Sequence, residues 1–145
     1  MMNRRQRADR TTVANRLPRG TTHSVIQGRD VYVFKKNTEV GIQFEIAVYF
    51  DADEGGYCAQ LYSPAVEESW KNAHVGHLFE DGVICMGFSS MRTRPTLEDA
   101  YGRACLWAEG MAIMMRSYEA GTPSEFPFSI NNDSTEAANA LRGYR

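Results

Sequence analysis

The cysteine at position 85 stands among residues whose types and spacing suit covalent chemistry. Gly82 precedes it by three positions and His77 by eight, whereas Pro95 follows it by ten. A glycine turn, the apolar pair 83–84 directly before the thiol, and a proline opening a helix predict a rigid, non-helical segment. A thiol held on such a segment acts as a nucleophile in its thiolate form, provided that it is exposed. The alternative is a small buried hydrophobic residue, which is a frequent role of a free cysteine.

Two histidines near this cysteine also raise the question of a metal site. His74, His77 and Cys85 offer three zinc ligands, and Cys58 or His23 would be a possible fourth. The spacing matches no common zinc motif, and no Cys-x-x-Cys pair accompanies it. We therefore expect neither a metal nor a cofactor.

The elements that must position Cys85 are predicted from residue types: strands from β-branched and aromatic content, and the first helix from its apolar anchors Val13 and Leu17 and its stop at Pro18 and Gly20. Residues 3–17 predict a short helix, residues 31–34, 44–50 and 57–62 predict strands, and 42–62 predicts a hairpin within an antiparallel meander. A capping-box pattern at 133–136 predicts a short final helix to about residue 141.

Residues 97–118 give the clearest helical pattern. Apolar side chains recur at alternating steps of four and three and trace one stripe from Leu97 to Tyr118. The charged residues mostly off this stripe are expected to face water: Glu98, Arg103, Glu109 and Arg116. The order of elements predicts an α+β fold.

Composition narrows the class of protein. A chain of 145 residues, 43% hydrophobic, fits one globular domain. No run of eighteen apolar residues is present, so we expect no membrane span. Three cysteines, an odd number, argue against a disulfide framework and favour a cytoplasmic location.

Charge is distributed unevenly along the chain. Residues 1–20 carry six arginines and one aspartate, a net charge of +5, whereas the remainder carries ten basic and seventeen acidic residues, a net charge of −7. The first twenty residues therefore form a basic arm or helix that either is solvated or contacts an acidic partner or nucleic acid.

The segment around Cys85 resembles the active-site segment of ubiquitin-conjugating enzymes, in which Gly-x-Ile-Cys-Leu is followed by Trp-Ser-Pro-x-Leu. Gly82, Ile84 and Cys85 fall on the first motif, and Pro95 and Leu97 fall on the second. The chain departs from the family pattern at several positions: Val75 replaces histidine, Gly76 proline, His77 asparagine, Met86 leucine and Thr93 tryptophan. The departures resemble divergent bacterial branches found in antiphage defence (CBASS-type) operons.

The resemblance implies a ubiquitin-conjugating-like fold, with residues 21–145 as a single catalytic domain, and assigns roles to the site. Cys85 would accept the C-terminal carbonyl of a partner as a thioester and pass it to an amine on a target protein. His77 would donate a hydrogen bond to the oxyanion or deprotonate the amine; the alternative is a loop histidine with a structural hydrogen bond. His74 is a candidate supporting residue. Asp81 would orient the amine, or is an exposed turn aspartate.

The partner implied is a ubiquitin-like protein or the C-terminus of a defence nucleotidyltransferase that makes cyclic oligonucleotides, with an activating-enzyme-like protein as a candidate loader. Two other classes of function stay open at this point. The first is an interaction module on the same scaffold without catalysis. The second is a nucleic-acid adaptor that uses the basic arm, which we expect less; its binding would weaken steeply with salt.

Overall fold

The structure, a computed structural model, describes residues 2–87 and 91–127 and has an α+β fold. Helix α1 spans Arg4–Arg16 and helix α2 spans Leu97–Glu119. Four strands lie between them: β1 (Thr22–Ile26), β2 (Arg29–Asn37), β3 (Gln43–Asp51) and β4 (Gly56–Ser63). They form one antiparallel sheet in the order β1-β2-β3-β4. The predicted N-terminal helix, antiparallel meander and long C-terminal helix are thereby confirmed, whereas the final helix predicted at 133–141 lies outside the described residues.

Strand β1 was not predicted from the sequence. All five of its residues are exposed, so its sequence carries no alternation between buried and exposed side chains. It joins β2 through the two-residue turn Gln27-Gly28, in which both residues have positive φ. Positive φ at both central positions is the geometry of the type I′ turn, whose twist matches that of the strands.

Helix α2 packs on one face of the sheet and is buried around its whole circumference between residues 103 and 112. The expectation that Arg103 and Glu109 face water is therefore wrong, since each is 3% exposed. The Glu109 carboxylate is tolerated there because it accepts the backbone N–H of Glu39, at 3.1 Å to each oxygen, and lies 3.6 Å from the Lys36 ammonium.

The opposite face of the sheet carries a smaller apolar cluster that includes Val31, Tyr49, Cys58 and Val83. Cys58 is buried there, and burial raises the pKa of its thiol to about 11. Cys105 is buried in α2 and its pKa is likewise raised by burial to about 11. Both thiols are therefore core residues.

Helix α1 is docked on the sheet by a buried polar contact. The Tyr57 hydroxyl of β4 donates to the Asp9 carboxylate at 2.6 Å, and Arg5 donates to the other oxygen at 2.8 Å. Burial, reinforced by the neighbouring carboxylate, raises the pKa of Tyr57 to about 12, so it remains a donor at neutral pH.

Among the described residues, no helix is long and apolar enough to cross a membrane.

Candidate active site around Cys85

The segment that precedes Cys85 is held by backbone hydrogen bonds to β4. Leu78 and Ile84 pair as an antiparallel bridge, and Val83 pairs with Gln60 of β4. The Ile84 N–H donates to the Ala59 carbonyl at 2.8 Å. This short hairpin therefore continues the sheet beyond β4 and fixes the chain one residue before the thiol.

The chain returns to the same edge of β4 after Cys85. Arg94 exchanges two backbone hydrogen bonds with Tyr57, at 2.8 and 2.9 Å. The β4 partners of Val83 and Arg94 are only three residues apart, at Gln60 and Tyr57. Eleven positions of chain separate Val83 from Arg94, and Cys85 lies two residues after Val83, so the thiol follows directly on the residue pair that is anchored to β4.

The Cys85 backbone is hydrogen-bonded to the His77 backbone. The Cys85 N–H donates to the His77 carbonyl at 3.0 Å, so the two residues lie side by side although eight positions separate them. The thiol is 3% exposed and its Sγ donates to the Gly87 carbonyl at 3.5 Å. The structure thus brings the Cys85 backbone next to that of His77 but buries the thiol.

The His77 imidazole is oriented by a different part of the molecule. Its ring meets the Phe126 ring edge to face, with centroids 4.8 Å apart and an interplanar angle of 69°. Burial lowers the pKa of His77; a hydrogen bond with the Ala73 backbone acts in the opposite direction, and the charge of His74 lowers the pKa further. The imidazole is therefore neutral at pH 7, the form that carries both an N–H donor and a lone pair.

The two histidines share a cleft with a volume of about 390 Å³, formed by the segment before Cys85, the end of α2 and the chain that follows it. Its lining residues are His74, Val75, His77, Met114, Tyr118, Pro123, Ser124, Glu125 and Phe126. Cys85 does not line this cleft. The structure thus joins His77 to Cys85 through the backbone, whereas the imidazole lies with exposed His74 in the cleft.

Gly76, which stands where the resembled family has proline, is required by close packing. A Cβ at this position would lie 2.3 Å from the Trp70 carbonyl oxygen. The Gly76 carbonyl accepts the Trp107 indole N–H at 2.8 Å, which ties this segment to α2. Trp70 itself is 7% exposed and packs in the core. His77 therefore follows a locked residue, and its own φ of +52° lies in the left-handed region that non-glycine residues rarely adopt.

Asp81 lies in the turn of the hairpin and is paired with an arginine that the sequence analysis did not single out. The Arg92 guanidinium donates to the Asp81 carboxylate at 2.5 Å and lies over the Phe79 ring, 4.8 Å from its centroid. Burial raises the pKa of Asp81, but hydrogen bonds from Arg92 and from the Val83 backbone outweigh it, so the net shift is downward. Opposite charges on either side of Cys85 were the available signal for this pair.

The structure does not group the candidate zinc ligands around one point. His23 pairs with Asp30 of β2 at 2.7 Å, far along the chain from the site. Within residues 2–87 and 91–127, no three histidine, cysteine or acidic side chains are grouped so that they could hold a metal ion.

Comparison of the chain with models of protein families, with curated proteins and with solved structures finds no match.

Proposed function

We propose that this protein is a ubiquitin-conjugating-like acyl carrier. In this proposal Cys85 forms a thioester with the C-terminus of a ubiquitin-like protein or of a defence nucleotidyltransferase, and the acyl group then passes to an amine on a target protein. The fold would be the ubiquitin-conjugating-like version of the α+β architecture. The setting would be bacterial antiphage defence, which rests on the resemblance of the motif alone.

The observation that supports the proposal most directly is the backbone hydrogen bond between Cys85 and His77. These are the two residues to which the motif assigns chemistry, and the Cys85 N–H donates to the His77 carbonyl at 3.0 Å. Both flank the Leu78–Ile84 bridge of a hairpin whose backbone is anchored to β4. Functional residues on loops positioned by a rigid scaffold are a common arrangement.

The proposed chemistry has two steps. The Cys85 thiolate attacks the carbonyl of the partner's activated thioester; a new S–C bond forms, and the thiol of the loading protein leaves with the electron pair of the broken bond. An amine then attacks this carbonyl, the bond to Cys85 breaks, and the thiolate is regenerated. Once Cys85, which lies outside the His77 cleft, has turned toward the imidazole, neutral His77 takes the proton of the amine or donates a hydrogen bond to the oxyanion.

Loading requires the thiol to become accessible. At 3% exposure, with Sγ bonded to the Gly87 carbonyl, Cys85 must turn outward before it can meet a carbonyl carbon. Contact with a loading partner would supply the differential binding that such a change needs.

The second candidate is an interaction module without catalysis on the same scaffold. The burial of Cys85 favours it, because a thiol of this kind acts as a small hydrophobic residue. The contact between the His77 ring and Phe126 favours it as well, since it gives the imidazole a structural role.

The two candidates are separated by intact-mass analysis after incubation with the activated partner. The carrier predicts an adduct that thiol reductant removes and that Cys85→Ala abolishes, whereas Cys85→Ser traps an ester that resists reductant. Cys58→Ala and Cys105→Ala are matched controls, because both remove a buried thiol elsewhere in the fold. An adduct that persists in Cys85→Ala and disappears in either control would reject the assignment.

A further inference from the structure

The Phe126 ring packs directly against Gly110 of α2, in the space that a side chain at that position would fill. A Cβ built on Gly110 would lie 2.4, 2.7 and 2.9 Å from three atoms of the Phe126 ring. A Cβ essentially never lies closer than 3.0 Å to another heavy atom, so a side chain at position 110 would force the Phe126 ring to shift. Glycine in a helix interior is destabilising relative to alanine. Glycine at position 110 therefore lowers helix stability but leaves room for the Phe126 ring.

The same ring is the aromatic contact of His77. The two ring centroids are 4.8 Å apart in an edge-to-face arrangement, a geometry that is favourable for aromatic pairs. Phe126 thus touches α2 at Gly110 and the segment before Cys85 at His77. It is partly buried and packs against the main core.

We propose that Phe126, seated on Gly110, is a positioning residue that fixes the His77 imidazole. The backbone of His77 is already fixed by the Cys85 hydrogen bond and by its position after Gly76, but neither determines how its ring turns; the ring is constrained by its hydrogen bond with the Ala73 backbone and by its contact with Phe126. The role in catalysis rests on the proposed function; the positioning of the ring does not. Phe126 acts through His77 and needs no contact with substrate.

The surroundings of His77 explain why Phe126 should govern its state. Burial is the main cause of its lowered pKa, and the Phe126 ring supplies part of that burial. The other titratable groups that line the cleft are His74, Tyr118 and Glu125. Removal of the ring therefore exposes the imidazole to water in a cleft that these three groups also line.

The experiment is an NMR titration of His77 in the isolated protein, in which no acyl partner is needed. Phe126→Ala removes the ring, and Gly110→Ala evicts it by adding the Cβ that it excludes. Both variants should shift the His77 ring resonances and raise its pKa toward the ordinary value of about 6.5. Phe126→Leu keeps an apolar group over the imidazole and should give a smaller rise than Phe126→Ala.

Gly102→Ala is the matched control, because it lies on the same helix and a Cβ there meets no atom within 4 Å. It should leave His77 unchanged. The proposal is overturned if His77 titrates as in the native protein in folded Gly110→Ala and Phe126→Leu, or if Gly102→Ala shifts it equally. Should Phe126→Ala fail to fold, these other variants decide the question.

The outcomes also separate this inference from the proposed function. A raised His77 pKa in a protein that never forms an adduct at Cys85 would keep the positioning role and reject the acyl carrier. An adduct at Cys85, with His77 indifferent to Phe126 and Gly110, would do the reverse.

Discussion

The two edges of the four-stranded sheet differ in how they are covered. At one edge, β1 leaves all five of its residues exposed, and within residues 2–87 and 91–127 its outer side pairs with no further strand. At the other edge, β4 is paired twice by the chain around Cys85, through Val83 and Arg94. Both edges are regular antiparallel structure, yet only the second is built into the core.

The difference shows where this chain needs precise geometry. An exposed strand tolerates displacement, because few contacts depend on it. The β4 edge fixes Val83 and Arg94, which precede and follow Cys85 in the chain. The packing of this edge and the position of the thiol are therefore coupled. Substitutions should therefore be costly at the β4 edge and nearly neutral at β1.

The largest expected effect on stability is at Ile84. This side chain is 0% exposed and belongs to the main core, so Ile84→Ala should reduce the free energy of unfolding by about 2–5 kcal/mol. Val25→Ala on β1 is the matched control, because Val25 is 64% exposed and its loss should change stability by less than about 0.5 kcal/mol. Urea denaturation measures both. Equal costs at the two positions would remove the contrast between the edges.

A smaller effect is expected where α1 is attached to the sheet. Tyr57→Phe at the β4 edge removes the donor of a buried bond to Asp9 and should cost about 1–3 kcal/mol, since a buried acceptor loses its partner. Gln6 attaches α1 to Asp30, next to β1, at 2.9 Å. That bond is closer to solvent, so Gln6→Ala should cost less than Tyr57→Phe in the same denaturation assay. The reverse order would show that α1 depends on the β1 side.

The smallest effect is a difference in pH dependence. The pKa of His77 is lowered by burial, so the unfolded chain binds its proton more readily than the folded one. The free energy of unfolding should therefore fall as pH is lowered from about 6.5 through the folded pKa of His77. In the same range, His77→Gln should show a shallower slope than the native protein.

Asp30, which pairs with His23 of β1, should affect stability at a lower pH than His77 does. A hydrogen bond with His23 is the main cause of the lowered pKa of Asp30. Its contribution is present above about pH 3.9 and is lost as pH falls through the folded value. Asp30→Asn should thus leave the slope near pH 6 intact. Loss of that slope in Asp30→Asn, with His77→Gln unchanged, would contradict the assignment.

Much of the fold was predictable because its signals are local. The helix from Leu97 carries the helical spacing of one apolar face, and the strands β2 to β4 are rich in β-branched and aromatic residues. Strand β1 was missed because none of its residues is buried, so pairing with β2 and the turn at Gln27-Gly28 hold it in place. The burial of Glu109 was missed because its compensation comes from Lys36 and the Glu39 backbone, which are distant in sequence.

The site was predictable only in part. The spacing of Cys85 and His77 indicated two residues on one segment, and the structure brings their backbones into contact. The burial of the thiol and the contact of the imidazole with Phe126 depend on tertiary packing that no local pattern contains. Gly110, against which the Phe126 ring packs, looks in the sequence like an ordinary weak point of a helix.

The central claim is that Cys85 and His77 form one acyl-transfer site, and the most direct test is single-turnover discharge of protein preloaded at Cys85 to a free amine. Loss of one oxyanion donor slows acyl transfer by roughly 100- to 1000-fold. His77→Ala should load normally and discharge more slowly by that factor, His77→Asn should recover part of the rate, and His74→Ala should discharge near the native rate. Thermal stability measured alongside identifies a variant that merely unfolds. Discharge of folded His77→Ala at the native rate would contradict the account.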